Sequence, residues 1–244
     1  MGSGGTEWEV ADVISASRMN QKTLYVGTGT QLEALSTTYA GMYAYVTTAG
    51  GTKIADTLYQ RNAGNTAWVA WSIVGKQDFP ISATAMWQRA TTGSAGLAKS
   101  ETTTNKINYY TLDFDQTTQE HIQFQWMAVR NYNNGTIKFT PYWTASAGTG
   151  GVVFEMSGVA LSNDDALDTA LGTGQTSTDT LIATGDVHVG PQSSAITIAG
   201  TPADSDIHFW QIARLTGNGS DTLTGDAKLL GIIVELSLDS GIAA

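Results

Sequence analysis

From about Lys76 to the end of the chain, short segments rich in β-branched and aromatic residues alternate with links rich in Gly, Asn, Thr and Asp. HIQFQWMAV shows the period of two expected of a strand that meets a core on one side, with Ile122, Phe124, Trp126 and Ala128 on one face and His121, Gln123 and Gln125 on the other. AKLLGIIVELSL alternates in the same way, with these residues on one face: Leu230, Ile232, Val234, Leu236 and Leu238. Many short strands with turn-rich links predict a mostly β fold and an antiparallel β-sandwich.

The predicted strands of this sandwich are FPISATAMWQ, NYYTLDF, EHIQFQWMAVR, TIKFTPYWTA, GVVFEMSGVAL, DTLIA, DVHVG, SAITIAG, DIHFWQIARL and AKLLGIIVELSL. The front of the chain reads differently. EVADVISASRMNQKTL predicts a helix, with Asp12 as its cap, and three aromatic-rich strands follow: GMYAYVTT, DTLYQRN and TAWVAWSIV. A unit of this size is too small to be very stable alone. We therefore expect residues 1–75 to form an attachment or oligomerisation module, packed around Trp68 and Trp71, and residues 76–244 to form the sandwich.

Composition limits the classes of function. Only 14% of the residues are charged, against about 25% in ordinary soluble domains, and the formal net charge is −10. An acidic surface repels phosphate, so nucleic-acid binding is not expected. The chain has no cysteine, which excludes disulfides, thiolate metal sites and cysteine nucleophiles. No stretch approaches the ~18 apolar residues of a membrane span, and MGSGG lacks the features of a signal peptide, so we expect neither membrane insertion nor signal-directed secretion.

Two loops carry sequence signals of their own. GNGSDTLTGD, residues 217–226, resembles one copy of the glycine- and aspartate-rich repeat that binds calcium in β-rolls. A single copy cannot complete a calcium site, because each repeat supplies only some of the ligands. We therefore expect Asp221 and Asp226 to shape the loop of a β-hairpin between DIHFWQIARL and AKLLGIIVELSL, with a calcium site as the alternative. Asn134 and Gly135 in NYNNGT likewise predict a tight hairpin turn.

SNDDALDTALG predicts one helical turn that interrupts the sheet, with Asn163 as its cap and Gly172 at its end. Acids suit the positive end of a helix, and a cation site is the alternative for the three in this segment: Asp164, Asp165 and Asp168. Asn134 and Asn218 match glycosylation acceptors, although turn geometry explains both.

A catalytic constellation is not visible. His121, His188 and His208 lie far apart and lack the spacing of metal ligands. A Ser-His-Asp set needs no neighbours in sequence, but the Gly-x-Ser-x-Gly elbow is missing. VGTGTQLEAL has glycines of a phosphate loop but no Lys-Ser/Thr ending, and we expect no strand-to-helix context there. We therefore predict a protein that is not an enzyme and has neither a cofactor nor catalytic or metal-binding residues.

The candidate binding residues are aromatic. Tyr132, Tyr142 and Trp143 lie near one predicted hairpin, where exposed rings would stack on sugars and contact a glycan or a receptor. Such rings more often fill a sandwich core or a subunit interface, and this is the alternative for all three.

Segments from both parts of the chain resemble a known family. PYWTASAGTGGVVFEMSGVALSNDDALDTALGTGQTSTDTL, SSAITIAGTPADSDIHFWQIARL and NGSDTLTGDAKLLGIIVEL are similar to the C-terminal jelly-roll-like β-sandwich of structural proteins of tailed phages, of the kind found in marine viruses. DVISASRMNQKTLYVGTG, LSTTYAGMYAYVTT and DTLYQRNAGNTAWV look like the small N-terminal module of phage tail-fibre-like proteins. The likeness covers nearly the whole chain and is weakest between about Lys76 and Lys106.

The resemblance implies a non-enzymatic virion structural protein, a tail fibre or capsid decoration subunit, exposed on the virion surface and assembled in the host cytoplasm. It also implies a homotrimer, contacts with other virion proteins through the N-terminal module, and contact with a glycan or protein of the host surface. Release by host lysis would make a secretion signal unnecessary. One alternative is a carbohydrate-binding β-sandwich module. The other is a polysaccharide-cleaving fibre, with its acids sought first at Asp113, Asp115 and Glu155.

Overall fold

The computed structural model describes residues 24–35, 42–51, 57–61, 64, 66–70, 75–129 and 132–238. The chain separates into two compact units, with the boundary between residues 74 and 75; the sequence analysis put it one residue later. The predicted helix in EVADVISASRMNQKTL lies outside the described residues except for Leu24, which begins a strand. Trp71 also lies outside them. The helices in the described part of the chain are too short to cross a membrane.

The first unit is a small sheet with one short helix. Its elements are β1 (Leu24–Thr28), α1 (Gly29–Glu33), β2 (Tyr43–Thr48), β3 (Thr57–Arg61) and β4 (Trp68–Ala70). The strands lie in the order β1-β2-β3-β4, with β1 parallel to β2 and the other pairs antiparallel. Four buried side chains form the core of this unit: Leu32, Ala44, Val46 and Tyr59.

The start of α1 contradicts one expectation from the sequence. Helix α1 follows β1 directly, so the expectation of no strand-to-helix context was wrong. The helix forms because Thr28 and Gln31 make a capping box: the Thr28 hydroxyl accepts from Gln31 N at 3.2 Å and Gln31 Oε1 accepts from Thr28 N at 2.9 Å. Trp68 packs partly buried against the core of this unit, as expected, with the Arg61 guanidinium 5.5 Å from its ring centroid.

The second unit is a jelly-roll-like antiparallel β-sandwich, which confirms the predicted fold class. Its strands are β5 (Gly75–Ser82), β6 (Trp87–Gln88), β7 (Ala98–Glu101), β8 (Asn108–Phe114), β9 (His121–Met127), β10 (Lys138–Thr144), β11 (Gly151–Leu161), β12 (Gln175–Thr180), β13 (His188–Val189), β14 (Ile207–Arg214) and β15 (Ala227–Leu238). One sheet has six strands, in the order β13-β10-β15-β8-β7 with β5 also paired to β15. The other has five, in the order β12-β11-β14-β9-β6.

Alternate side chains of both sheets point into one shared core. On β9, Ile122 and Phe124 are buried and Trp126 packs against them, as the period of two predicted. Phe124 stacks on Trp210 of β14, with ring centroids 6.3 Å apart. A Cβ at Gly158 of β11 would lie 2.3 Å from the Trp210 ring, so glycine is required there for the indole to fit.

Both predicted hairpins are wrong, because each pair of strands lies in opposite sheets. β14 belongs to the five-stranded sheet and β15 to the six-stranded sheet, and β9 and β10 are divided in the same way. Asn134 does have a positive φ of 55°, but Gly135 does not, so the two do not form the tight turn that closes a hairpin. Local turn chemistry marks a change of direction; it does not say whether the chain stays in one sheet.

The predicted helical turn in SNDDALDTALG is also wrong. This segment lies between β11 and β12 without helical structure. Asp164 has a positive φ of 69°, which interrupts a right-handed helix. The Asp165 carboxylate accepts instead from Ser162 N at 2.8 Å, and Gly172 N donates to Gly158 O at 3.0 Å.

Strand β15 carries a bulge that changes its inward face. Tyr142 pairs with Gly231 and Trp143 pairs with Leu229, which leaves Leu230 without an opposite residue. Leu230 was predicted to share the apolar face but is only half-buried. The inward positions are Ala227 and Leu229 before the bulge, then Ile232, Val234 and Leu236 after it.

Gly158→Ala tests the packing of Trp210. Because the new methyl group would meet the indole at 2.3 Å, we expect a loss of about 1–3 kcal/mol in the free energy of unfolding, measured by urea denaturation. Gly217→Ala is the control, since no atom lies within 4 Å of a Cβ there. Equal stability of the two variants would contradict this packing.

Candidate functional site

Two of the three predicted contact residues lie in the core. Tyr132 is 4% exposed and Trp143 is fully buried, with the Trp143 indole N–H donating to Asp179 Oδ2 at 2.9 Å. Burial raises the pKa of the Tyr132 hydroxyl to about 12. These two rings therefore present no face for a sugar, and they pack as the alternative described. Tyr142 is half-buried on β10.

The three acids considered for polysaccharide cleavage do not form a pair. On β8, Leu112 and Phe114 point into the core, so Asp113 points outward, where it forms an ion pair with Lys228. On β11, Phe154 points into the core and Glu155 points outward from the opposite sheet. Asp113 and Glu155 thus lie on opposite sides of the sandwich and cannot flank one glycosidic bond.

Asp115 holds a turn just after β8. Its Oδ1 accepts hydrogen bonds from Thr117 N, Thr117 Oγ1 and Thr118 N, each at 2.7 Å. These bonds, that of the Thr117 hydroxyl first, lower the pKa of Asp115 from 3.8 to about 2. The carboxylate is therefore committed to the turn and is a poor proton donor.

The histidines are not brought together. His208 pairs with Trp126, five positions along β9 from His121, while His188 lies in the other sheet with its ring 4.8 Å from that of Trp143. Burial lowers the pKa of both His121 and His208. In the described parts of the chain, no three His, Asp or Glu residues form a group able to hold a metal ion.

In GNGSDTLTGD, Asp221 forms a buried ion pair with Arg214, at the end of β14. The side chain of Arg214 is 0% exposed and that of Asp221 is 2% exposed. Arg214 Nη2 donates to Asp221 Oδ1 at 2.9 Å and Arg214 Nε to Asp221 Oδ2 at 3.1 Å. Val153 N also donates to Asp221 Oδ2, at 3.0 Å. The remaining donors of Arg214 bond four carbonyl oxygens, those of Phe114, Asp115, Leu223 and Gly225.

These contacts occupy the Asp221 carboxylate, so it is a structural acid, while Asp226 is exposed. The sequence analysis expected Asp221 to shape its loop but missed its partner. A signal was present: Arg214 continues an apolar strand, and a buried guanidinium needs a carboxylate.

An apolar cleft of about 480 Å³ opens between β5 and β9. Its lining includes Phe79, Ile81 and Trp126. Two of its few polar groups are already used, since the Trp126 indole N–H donates to His208 Nδ1 at 3.1 Å and the Tyr132 hydroxyl donates to Gly135 O. The cleft offers little to orient a ligand, because specific sites need convergent polar groups.

A more polar surface lies on the outer face of the five-stranded sheet. Trp87 of β6 pairs with Gln123 of β9, which pairs with Gln211 of β14, so their side chains share one face. Trp87 is 44% exposed. Arg89 Nη1 donates to Gln211 Oε1 at 3.0 Å, and Gln123 Nε2 approaches the same oxygen at 3.5 Å. We call Trp87, Arg89, Gln123 and Gln211 the amide–indole face.

Sequence reasoning missed this face. The alternation in HIQFQWMAV placed the glutamines away from the core, but the strand order that brings Gln211 and Trp87 beside Gln123 was not predicted. The sequence carried no direct signal for it, because the exposure of Trp87 and its place beside the glutamines depend on the pairing of β6, β9 and β14.

No protein-family model matches the sequence, and no curated protein matches it. The solved structures similar to it include a non-crystalline cellulose-specific carbohydrate-binding module, CBM28, at 9% identity, TM-score 0.36, over 64% of this chain and 89% of that one. The family 11 module from Clostridium thermocellum, in complex with a β-1,3-1,4-mixed-linked tetrasaccharide, is 9% identical with a TM-score of 0.38, over 69% and 98%. The mannan-recognising module TmCBM27 is 7% identical with a TM-score of 0.34, over 67% and 97%. Likeness this weak carries no inference about what this chain binds.

Asp221→Asn tests the buried ion pair. Removing the charge leaves the Arg214 guanidinium buried without its counter-ion, so we expect a loss of about 3–5 kcal/mol in the free energy of unfolding, measured by urea denaturation. Asp226→Asn, in the same loop but exposed, should change it by less than about 0.5 kcal/mol. The ion pair would not be the contact that stabilises this loop if calcium raised the free energy of unfolding of the wild type and if, without calcium, neither variant were less stable than the wild type.

Asp115→Asn tests the turn through its pH dependence. The folded-state pKa of about 2 lies below the ordinary 3.8, so the carboxylate stabilises the fold above about pH 4 and this contribution is lost as pH falls toward 2. The difference in urea midpoint between wild type and variant should therefore shrink between pH 5 and about pH 2. Glu120 also has a shifted pKa, which burial raises. Because Glu120 is present in both proteins, the test compares their difference in midpoint and not the pH dependence of either protein alone. A difference that is constant with pH would refute the assignment.

Proposed function

We propose that this chain is a non-enzymatic structural subunit of a virus particle, a tail fibre or capsid decoration protein of a tailed virus. The small unit would attach or assemble the subunit through other virion proteins, and the sandwich would be displayed on the virion surface. The resemblance of segments in both units to phage structural proteins supports this proposal, as does the division into two compact units at residue 75.

The observation that carries the non-enzymatic part is how the reactive side chains are used. Asp221 and Arg214 are buried together, Asp113 is paired with Lys228, and Asp115 holds a turn. Of the three acids considered for polysaccharide cleavage, Asp113 and Asp115 thus serve structural contacts, and Glu155 lies on the opposite sheet from Asp113. A rigid scaffold that presents exposed faces to a partner is what remains.

A second candidate function is a carbohydrate-binding module that acts without a virion. The amide–indole face favours it, because an exposed indole beside amide groups suits sugar binding. The two candidates differ in assembly: a fibre subunit is expected to form a homotrimer, whereas a binding module has no need to associate.

The native mass measured by light scattering separates these candidates. We expect three times the mass of one chain, unchanged by a chelator, and the mass of one chain after removal of residues 1–74. No reducing ends should appear when the protein is incubated with polysaccharides. A monomeric full chain would contradict the fibre proposal, and released reducing ends would contradict the non-enzymatic one.

A further inference from the structure

We propose that the amide–indole face is a binding site for a neutral polysaccharide. This inference deepens the proposed function, and it rests on the sandwich being displayed to a glycan-bearing surface. The site runs across the strands from Trp87 on β6 to Gln211 on β14, over two inter-strand steps, a length of about 10 Å. That length suits a chain of sugars better than a single one.

Trp87 supplies the apolar platform. It lies on an edge strand of two residues, and its neighbour Met86 is buried in the core, so the ring is not needed to anchor the edge. With 44% of its surface exposed, the indole offers a flat face on which the C–H groups of a sugar ring can stack.

The two glutamines supply a donor and an acceptor beside that platform. Because a guanidinium only donates, the Gln211 atom that faces Arg89 must be its oxygen. Gln211 Nε2 is thereby turned away from Arg89, and neither this donor nor Gln123 Oε1 has a partner among the described residues. Both side chains are half-buried, so these groups remain within reach of solvent. Sugar hydroxyls donate and accept, and therefore match both.

Arg89 fixes the geometry. Its Nε donates to Thr91 O at 2.7 Å, its Nη2 donates to Thr92 Oγ1, and its backbone N donates to His121 O at 3.1 Å. A side chain held at several points loses little freedom on binding, and it holds Gln211 in one orientation. Arg89 is therefore a positioning residue of the site.

The charges favour a neutral ligand. The guanidinium of Arg89 already directs three of its five N–H groups to protein acceptors, so it offers an acidic sugar at most two donors and a single positive charge. Glu155 points outward from the same sheet, two positions along β11 from Ser157, which pairs with Gln211. With a net charge of −10 for the chain, a polyanion would be repelled.

The test is calorimetric titration of the full chain with a panel of neutral polysaccharides (laminarin, galactomannan, xyloglucan and mixed-linkage β-glucan) and with the acidic alginate. We expect at least one neutral polysaccharide to bind and alginate not to bind. Trp87→Ala should weaken binding roughly tenfold or more, and Gln211→Ala about fivefold. Tyr110→Ala is the matched control, since Tyr110 is an exposed aromatic residue on the six-stranded sheet, and it should bind as wild type does. Circular dichroism melting checks that each variant is folded.

Three outcomes would overturn the site: no binding of any neutral polysaccharide, binding that survives Trp87→Ala in a folded variant, or preference for alginate. Light scattering on the same samples separates this inference from the proposed function. A trimer that binds no glycan removes the site and leaves the virion role standing. A monomer whose glycan binding is lost with Trp87→Ala keeps the site and removes the fibre role.

Discussion

The buried ion pair between Arg214 and Asp221 holds the two sheets of the sandwich to the segment that crosses between them. Arg214 ends β14 of the five-stranded sheet, and its donors reach the carbonyl oxygens of Phe114, at the end of β8 in the six-stranded sheet, and of Leu223 in the link to β15. One side chain therefore joins both sheets and the segment that crosses between them. The cost of burying two charges is offset because the carboxylate accepts from two groups of the guanidinium and from a backbone N–H, so neither ion is left without partners.

The same strand positions the candidate binding face. On β14, Trp210 and Ile212 point into the core while Gln211 between them points outward. The packing of Trp210 against Phe124 and over Gly158 thus fixes the position on the core of the strand that carries Gln211. Arg89 then fixes the orientation of the amide. The rigid core beneath this face and the hydrogen-bonded side chain of Arg89 on it hold the surface in one geometry before a weakly bound ligand arrives.

Strand positions followed from the sequence far better than strand pairing did. NYYTLDF, GVVFEMSGVAL and AKLLGIIVELSL match β8, β11 and β15 along their whole length, since the enrichment in β-branched and aromatic residues that marks a strand is local information. The pairing of β14 with β9 and β11 is not local, and Asn134-Gly135 and GNGSDTLTGD were read as hairpin loops although each crosses between sheets. Two of the three predicted contact residues were misplaced for the same reason: Tyr132 and Trp143 are aromatic and near a turn, but only the packing of two sheets shows that they point inward. Trp87 became a candidate once its strand was placed beside β9.

The central claim is that a neutral glycan contacts the outer face of the five-stranded sheet at Trp87 and Gln211. The most direct measurement is a nitrogen-15 NMR titration of the full chain with a neutral oligosaccharide that it binds, following side-chain N–H signals. The account predicts that the Trp87 indole N–H and the side-chain amides of Gln123 and Gln211 shift with ligand, while the buried indoles of Trp143 and Trp210 stay in place. Shifts confined to the region of Tyr142, or to the apolar cleft at Trp126, would contradict it.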